Sequence, residues 1–169
     1  ASTAASDTYV LTVTNTNDAP TVASALADAS TAEDAAYSLD VSSNFADVDL
    51  GDSLTYAATG LPSTLTMSSA GAISGTPLNA DVGAHTIVVT ATDVALASAT
   101  DEYVLTVVNT NDAPTNIALS SNSIAEDAAG GTAVGMLSST DQDSADSHSY
   151  TLSDDSSPFQ IADSRLQLK

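Results

Sequence analysis

The side chains in this chain that could do chemistry are almost all carboxylates. Of 169 residues 22 are acidic, against two bases, Arg165 and Lys169, which gives a formal charge of −20. Nineteen of the acids are Asp; the three Glu are Glu33, Glu102 and Glu126. Without cysteine there is no disulfide framework, thiolate metal site or thiol nucleophile. The two histidines, His85 and His148, form no HExxH pair and belong to no triad pattern. Ser74 in GAISG lacks the glycine spacing of a nucleophile elbow. The expectation is that the chain is not an enzyme. Duplex binding is excluded as well, because nothing here neutralises a nucleic-acid backbone, and no polybasic stretch addresses a lipid surface.

Carboxylates crowded together with no cation to pair repel and raise one another's pKa. The economical remedy is a hard divalent cation. Calcium takes about 6–8 oxygen ligands from carboxylates, amides, carbonyls and water, whereas magnesium keeps more of its waters. Transition metals lack imidazole and thiolate partners here. Two familiar calcium patterns fail. Counting an EF-hand loop from Asp47 puts Gly51, Asp52 and Ala58 at the fifth, sixth and twelfth positions; counting from Asp141 puts Ala145, Asp146 and Leu152 there. The glycine-rich nonapeptide of β-helices is absent too.

The elements that must position these acids follow from an internal repeat. Residues 7–21, DTYVLTVTNTNDAPT, match residues 101–115, DEYVLTVVNTNDAPT, at 13 of 15 positions with an offset of 94. Asp47, Asp49, Asp52 and Tyr56 recur as Asp141, Asp143, Asp146 and Tyr150, and AEDAA recurs at 32–36 and 125–129. The reading is the C-terminal strand and linker of one unit (1–20), a complete unit (21–114) and the N-terminal half of a third (115–169). The opening residues carry neither Met nor a signal-peptide pattern, as expected of a segment of something longer.

Periodicity within a unit is two. Tyr9, Leu11 and Val13 share one face of residues 8–14, and Ile87, Val89 and Ala91 share one face of residues 85–92. Short strands are predicted at about 22–27, 35–41, 53–59, 64–68, 71–74, 85–92 and 101–108, separated by Gly, Pro, Asn, Asp and Ser. The fold class is therefore all-β, in tandem Greek-key immunoglobulin-like sandwiches with truncated outer units. Loops of such a sandwich alternate between its ends. Asp47, Asp49 and Asp52 fall in one loop and Asp93 begins another at the same end, where Asn15–Pro20 enters. Glu33 and Asp81 fall at the opposite end, where Asn109–Pro114 leaves. The third unit, as far as it runs, exposes an apolar face and is expected to be unstable unless a neighbour covers it.

These residues carry a resemblance. Residues 13–20, VTNTNDAP, and 107–114, VNTNDAP with its preceding valine, resemble the inter-domain calcium linker of cadherin repeats, in the form common in large bacterial surface proteins. Glu33 and Glu126 resemble the first-loop glutamate of that family. Asp47-Val-Asp49 and Asp141-Gln-Asp143 resemble its DxD pair, and Ala91-Thr-Asp93 its later aspartate. The complete unit is similar to the dystroglycan-type cadherin-like variant, and the third unit to an ordinary bacterial cadherin. The resemblance implies two Ca²⁺ clusters: Asn17, Asp18, Asp47, Asp49 and Asp93 at the first linker, and Glu33, Asp81, Asn109, Asn111, Asp112, Asp141 and Asp143 at the second. Asn15 and Asn109 depart from the family's first linker aspartate.

The resemblance also implies a function and a place. The segment would be a calcium-binding repeat of an extracellular or cell-surface adhesin, secreted or anchored at an outer membrane. Calcium would rigidify the linkers and support cell adhesion, including homophilic adhesion. Its partners would be neighbouring repeats, with other cell-surface proteins or glycans, and without nucleic acid or direct membrane insertion. The alternative is a carbohydrate-binding module, which the absence of Trp and the strand positions of the few aromatics disfavour.

Overall fold

The computed structural model describes residues 1–154 and 156–169, and the chain divides into unit 1, Ala1–Asn109, and unit 2, Thr110–Lys169. Unit 1 carries β1 (Thr21–Val22), β2 (Ala29–Ala32), β3 (Tyr37–Asp40), β4 (Phe45–Ala46), β5 (Thr55–Thr59), β6 (Leu65–Met67), β7 (Ala72–Gly75), β8 (Gly83–Thr92) and β9 (Ser98–Val108). Two sheets, β2-β9-β8-β5 and β3-β7-β6, face one another, and β1 pairs with β4. All pairings are antiparallel except β2 with β9, which run parallel from Ala29 opposite Leu105 to Ala32 opposite Val108.

Alternation builds the core. Ile87, Val89 and Ala91 of β8 and Tyr103 and Leu105 of β9 meet Tyr37, Leu65 and Ile73 of the opposite sheet, with Val41 and Phe45 closing one side. Burying each of the larger side chains contributes about 1.5–3 kcal/mol. Phe45 packs edge-on against Tyr56, ring centroids 6.0 Å apart. Ala91 is buried, so alanine here fills narrow places between larger neighbours instead of forming helix.

Two strand expectations need correction. The strand expected over 22–27 is broken: after β1 the chain crosses to the other sheet and restarts as β2. Two carboxylates hold the crossing, since the Leu26 N–H donates to Asp101 Oδ2 at 2.6 Å and the Val104 N–H donates to Asp28 Oδ1 at 2.8 Å. They satisfy amides that a continuous ladder would have paired. The strand expected over 8–14 is not formed. An isolated strand has no partner for its backbone groups, and residues 1–20 carry no strand.

Unit 2 carries β10 (Asn116–Leu119), β11 (Ala133–Thr140), β12 (Phe159–Ala162) and β13 (Arg165–Leu168), ordered β10-β11-β13-β12, all antiparallel. Among the described residues, no helix is long and apolar enough to cross a membrane.

Candidate metal centre

At the end of unit 1 where β8 stops, three stretches of chain meet. The loop between β4 and β5 supplies Asp47, Asp49 and Asp52, and carboxylate oxygens of these three lie within 4.8 Å of one another. That span is within the reach of two calcium–oxygen bonds of about 2.3–2.6 Å each. Asp49 is buried, and its N–H donates to Asp47 Oδ1 at 2.8 Å. The connector ties onto the same loop. The Asp18 N–H donates to Asp49 Oδ2 at 2.7 Å, and Asn15 Nδ2 donates to Asp49 Oδ1 at 2.7 Å.

Asp93, at the end of β8, receives Asn17 Nδ2 on Oδ2 at 2.9 Å. Its Oδ1 accepts the Ala97 N–H at 2.8 Å, which closes the turn into β9 and places Leu96 at a φ of 73°. The Asn17 bond holds the Asp93 carboxyl below its ordinary pKa. Asp52 is pushed the other way, first by desolvation and then by the charges of Asp47, Asp49 and Asp93.

The pattern recurs in unit 2 at the repeat offset. The Asp112 N–H donates to Asp143 Oδ2 at 2.5 Å, as Asp18 does to Asp49, and the Asp143 N–H donates to Asp141 Oδ1 at 3.0 Å, as Asp49 does to Asp47. The turn that follows matches as well, with Asp146 N–H to Asp143 O at 3.0 Å against Asp52 N–H to Asp49 O at 3.1 Å. In both copies the same atom is left over. Asp47 Oδ2 and Asp141 Oδ2 are buried and have no hydrogen-bond partner among the described residues. His148 Nε2 stands 3.7 Å from Asp141 Oδ2, too far for a hydrogen bond. A buried carboxylate oxygen with no donor is costly, and both lone bases of the chain fall in its last five residues. The donor set fits a hard cation: carboxylates and amides, with no thiolate. The asparagine amides point nitrogen at carboxylates here, and a half-turn would present their carbonyl oxygens instead.

The expected ligands divide between the two units. Asn17, Asp18, Asp47, Asp49 and Asp93 come together in unit 1, and Asp112, Asp141 and Asp143 come together in unit 2. Asn111 Nδ2 donates to Asp112 O at 2.8 Å. Glu33 is buried directly after β2, with its N–H on Val108 O at 3.0 Å, and Asn109 follows β9. Asp81 is buried just before β8, at the opposite end of that strand from Asp93, and its carboxylate is consumed locally. Oδ1 accepts the Ser63 N–H at 2.9 Å and the Ser63 hydroxyl at 3.0 Å; Oδ2 accepts the Thr64 hydroxyl at 2.6 Å and the Leu78 N–H at 3.2 Å. The geometry makes it a structural knot. Two residues outside the expected ligand set join the unit 1 cluster, Asn15 and Asp52. Asn15 reads as a departure from the linker pattern, and Asp52 lies outside the DxD pair, although its recurrence as Asp146 was a signal.

A family model described as "Putative Ig domain" (He_PIG) matches residues 19–108. The chain belongs to the He_PIG family. Among solved structures, this He_PIG chain is similar to PcdhgB3 EC1-4, with 22% identity and a TM-score of 0.57, covering 89% of this chain and 40% of that one. It is also similar to protocadherin gamma B2 extracellular cadherin domains 3–6, with 17% identity and a TM-score of 0.58, covering 88% and 38%. At such identities the likeness establishes the fold: a cadherin-like, Ig-like β-sandwich. An endo-fucoidan hydrolase from glycoside hydrolase family 107 matches at 30% identity with a TM-score of 0.45, covering 54% of this chain and 14% of that one, too slight a likeness to bear on activity. The chain thus spans well under half of each of these. No curated protein matches it.

Proposed function

We propose that this chain is a calcium-binding, cadherin-like repeat segment of an extracellular, cell-surface adhesion protein. In this reading residues 21–114 form a dystroglycan-type unit, residues from 115 onward begin a cadherin unit, and calcium stiffens the linkers. The observation that carries the reading is the buried, donorless carboxylate oxygen that recurs at Asp47 and Asp141 in the same hydrogen-bond frame.

The first ion would be held by Asn17, Asp18, Asp47, Asp49 and Asp93, with Asn15 and Asp52 added on geometry. The second would use Asn111, Asp112, Asp141 and Asp143, with Glu33 and Asn109 assigned to it by the resemblance. When bound, calcium supplies the positive charge that the sequence withholds. The residues themselves contribute a frame: Asp18 and Asp112 lash each connector to a DxD loop through backbone amides, so that neutralising the loop also fixes the connector. Without the cation, the acids repel and the connector is held only by hydrogen bonds that water competes for. A stiffened run of such units would space or present whatever surface makes the adhesive contact, including a homophilic one.

Calorimetric titration and thermal melting of residues 1–169 test this. Calcium at about 100 times its dissociation constant should stabilise the folded state by about 2.7 kcal/mol per independent site, and chelator should reverse the shift. Asp47→Asn should weaken the unit 1 site at least about tenfold, a loss of about 1.4 kcal/mol. If millimolar calcium yields no heat and moves the melt no further than magnesium or sodium at matched ionic strength, the reading fails.

A further inference from the structure

The two DxD turns carry different residues at their apex. In unit 1 the Asp49 N–H closes onto Asp47 Oδ1 and lifts Val48 clear of the loop, 74% exposed. In unit 2 the Asp143 N–H closes onto Asp141 Oδ1 in the same way, and the exposed residue at the apex is Gln142. A valine offers its neighbours only methyl groups. Gln142 carries an amide with two N–H donors, and its Nε2 donates to Asp112 Oδ2 at 3.3 Å, thirty positions back along the chain.

Asp112 is thereby held through its backbone and through its side chain. Its N–H donates to Asp143 Oδ2, and a carboxylate oxygen of Asp112 lies within 4.8 Å of one of Asp143, close enough for both to reach one cation. Carboxylates at that separation repel, and an aspartate on a connector relieves the repulsion by swinging toward water. The Gln142 amide opposes the swing, because the positive end of its dipole faces Asp112. Turning the amide over would set its oxygen against the carboxylate, so the orientation present is the attractive one of the two. Asp141, beside them in the turn, has a side chain 5% exposed and a buried Oδ2 with no hydrogen-bond partner among the described residues. Positive charge is wanted at this place for reasons independent of Gln142. In unit 1 the Asp18 N–H is lashed to Asp49 Oδ2 just as Asp112 is to Asp143, but Val48 supplies no second tether.

We propose that Gln142 is a positioning residue for the cation site of unit 2. Its amide holds the Asp112 carboxylate over the DxD turn before an ion arrives, so that the connector is docked first and calcium binds an arrangement already made. The inference rests on the calcium reading above and refines it. Ordering an acidic side chain in advance removes part of the cost that binding would otherwise meet, and one hydrogen bond to it should tighten calcium roughly three- to tenfold.

Nuclear magnetic resonance of the whole 169-residue chain separates the two sites, since the Asp112 and Asp143 amides report on unit 2 and the Asp18 and Asp49 amides on unit 1. In chelator, a side-chain N–H of Gln142 should resonate away from the position of a solvated amide and return to it in Asp112→Ala. In a calcium titration Gln142→Met, which keeps the length and removes the donor, should raise the midpoint of the unit 2 amides roughly three- to tenfold and leave that of the unit 1 amides unchanged. Gln142 is exposed, so this variant should keep the parent's melt. A Gln142 amide indistinguishable from a solvated one in chelator overturns the proposal. If calcium moves the amides of the parent but Gln142→Met leaves the unit 2 midpoint where it was, the positioning role falls and the calcium reading stands. If calcium moves no amide in either unit, the calcium reading itself falls and takes this inference with it.

Discussion

The acids of this protein divide by what reaches their oxygens. Asp47 and Asp141 each keep one buried oxygen that no N–H or O–H satisfies, whereas Asp81 is saturated by two amides and two hydroxyls. The Thr64 hydroxyl, followed by the other donors, outweighs desolvation and lowers the Asp81 carboxyl from 3.8 to about 2. A carboxyl depressed in the folded state contributes stability that is fully present above its unfolded pKa. That contribution fades as the pH falls from 3.8 toward about 2. Asp81→Ala strands the Ser63 and Leu78 amides and should cost on the order of 2–3 kcal/mol in chemical denaturation at neutral pH. The variant should also lose stability less steeply than the parent between those two pH values. Equal slopes would mean that Asp81 is not the group being protonated.

Among elements, the hairpins of unit 1 depend on a few backbone positions more than on side-chain identity. Gly60, at a φ of 79°, ends β5 where the chain passes over β8, and a Cβ there would lie 2.1 Å from Thr86 O. That neighbour is backbone in the middle of a strand and cannot step aside. Gly60→Ala should therefore destabilise by more than the about 1 kcal/mol of an ordinary glycine replacement, read as a lowered denaturation midpoint with an unchanged m-value. The turn after β8 shows the opposite economy. Leu96 holds a left-handed conformation at φ 73° because Asp93 ties both ends of the turn. Leu96→Gly should raise stability by roughly 0.5–1 kcal/mol, provided the melt is measured under conditions where Asp93 keeps its bonds.

At the scale of the whole molecule, stability is unevenly shared. Ten of the buried apolar side chains form one cluster in unit 1, whereas Val134 is the one buried large apolar side chain among the described residues of unit 2. Local opening free energy follows buried contacts, so amides of β8 and β9 should exchange orders of magnitude more slowly than those of β10–β13. Comparable protection in both units would show that unit 2 is covered in solution. Charge acts at the same scale. With two bases against 22 acids, added salt should stabilise unit 1 modestly by screening, and calcium should do so well beyond its ionic strength.

The sequence by itself determined the repeat, the all-β class, the strand spacing and most of the unit 1 cluster. Each of these rests on local rules: the period of side-chain alternation, the residues that break strands, and the recurrence of a motif at a constant offset. Tertiary structure decided the rest, because it depends on which distant groups meet. The parallel β2–β9 pairing and the Asp28 and Asp101 bonds that create it join residues more than seventy positions apart. The same holds for Asp81, which reads from the sequence as a ligand at the same end of the sandwich as Glu33 but is claimed by Ser63 and Thr64. Asn15 and Asp52 gain their place only when the connector closes on the loop. A carboxylate's type is written in the sequence; whether its oxygens are already spoken for is decided by the neighbours that folding brings.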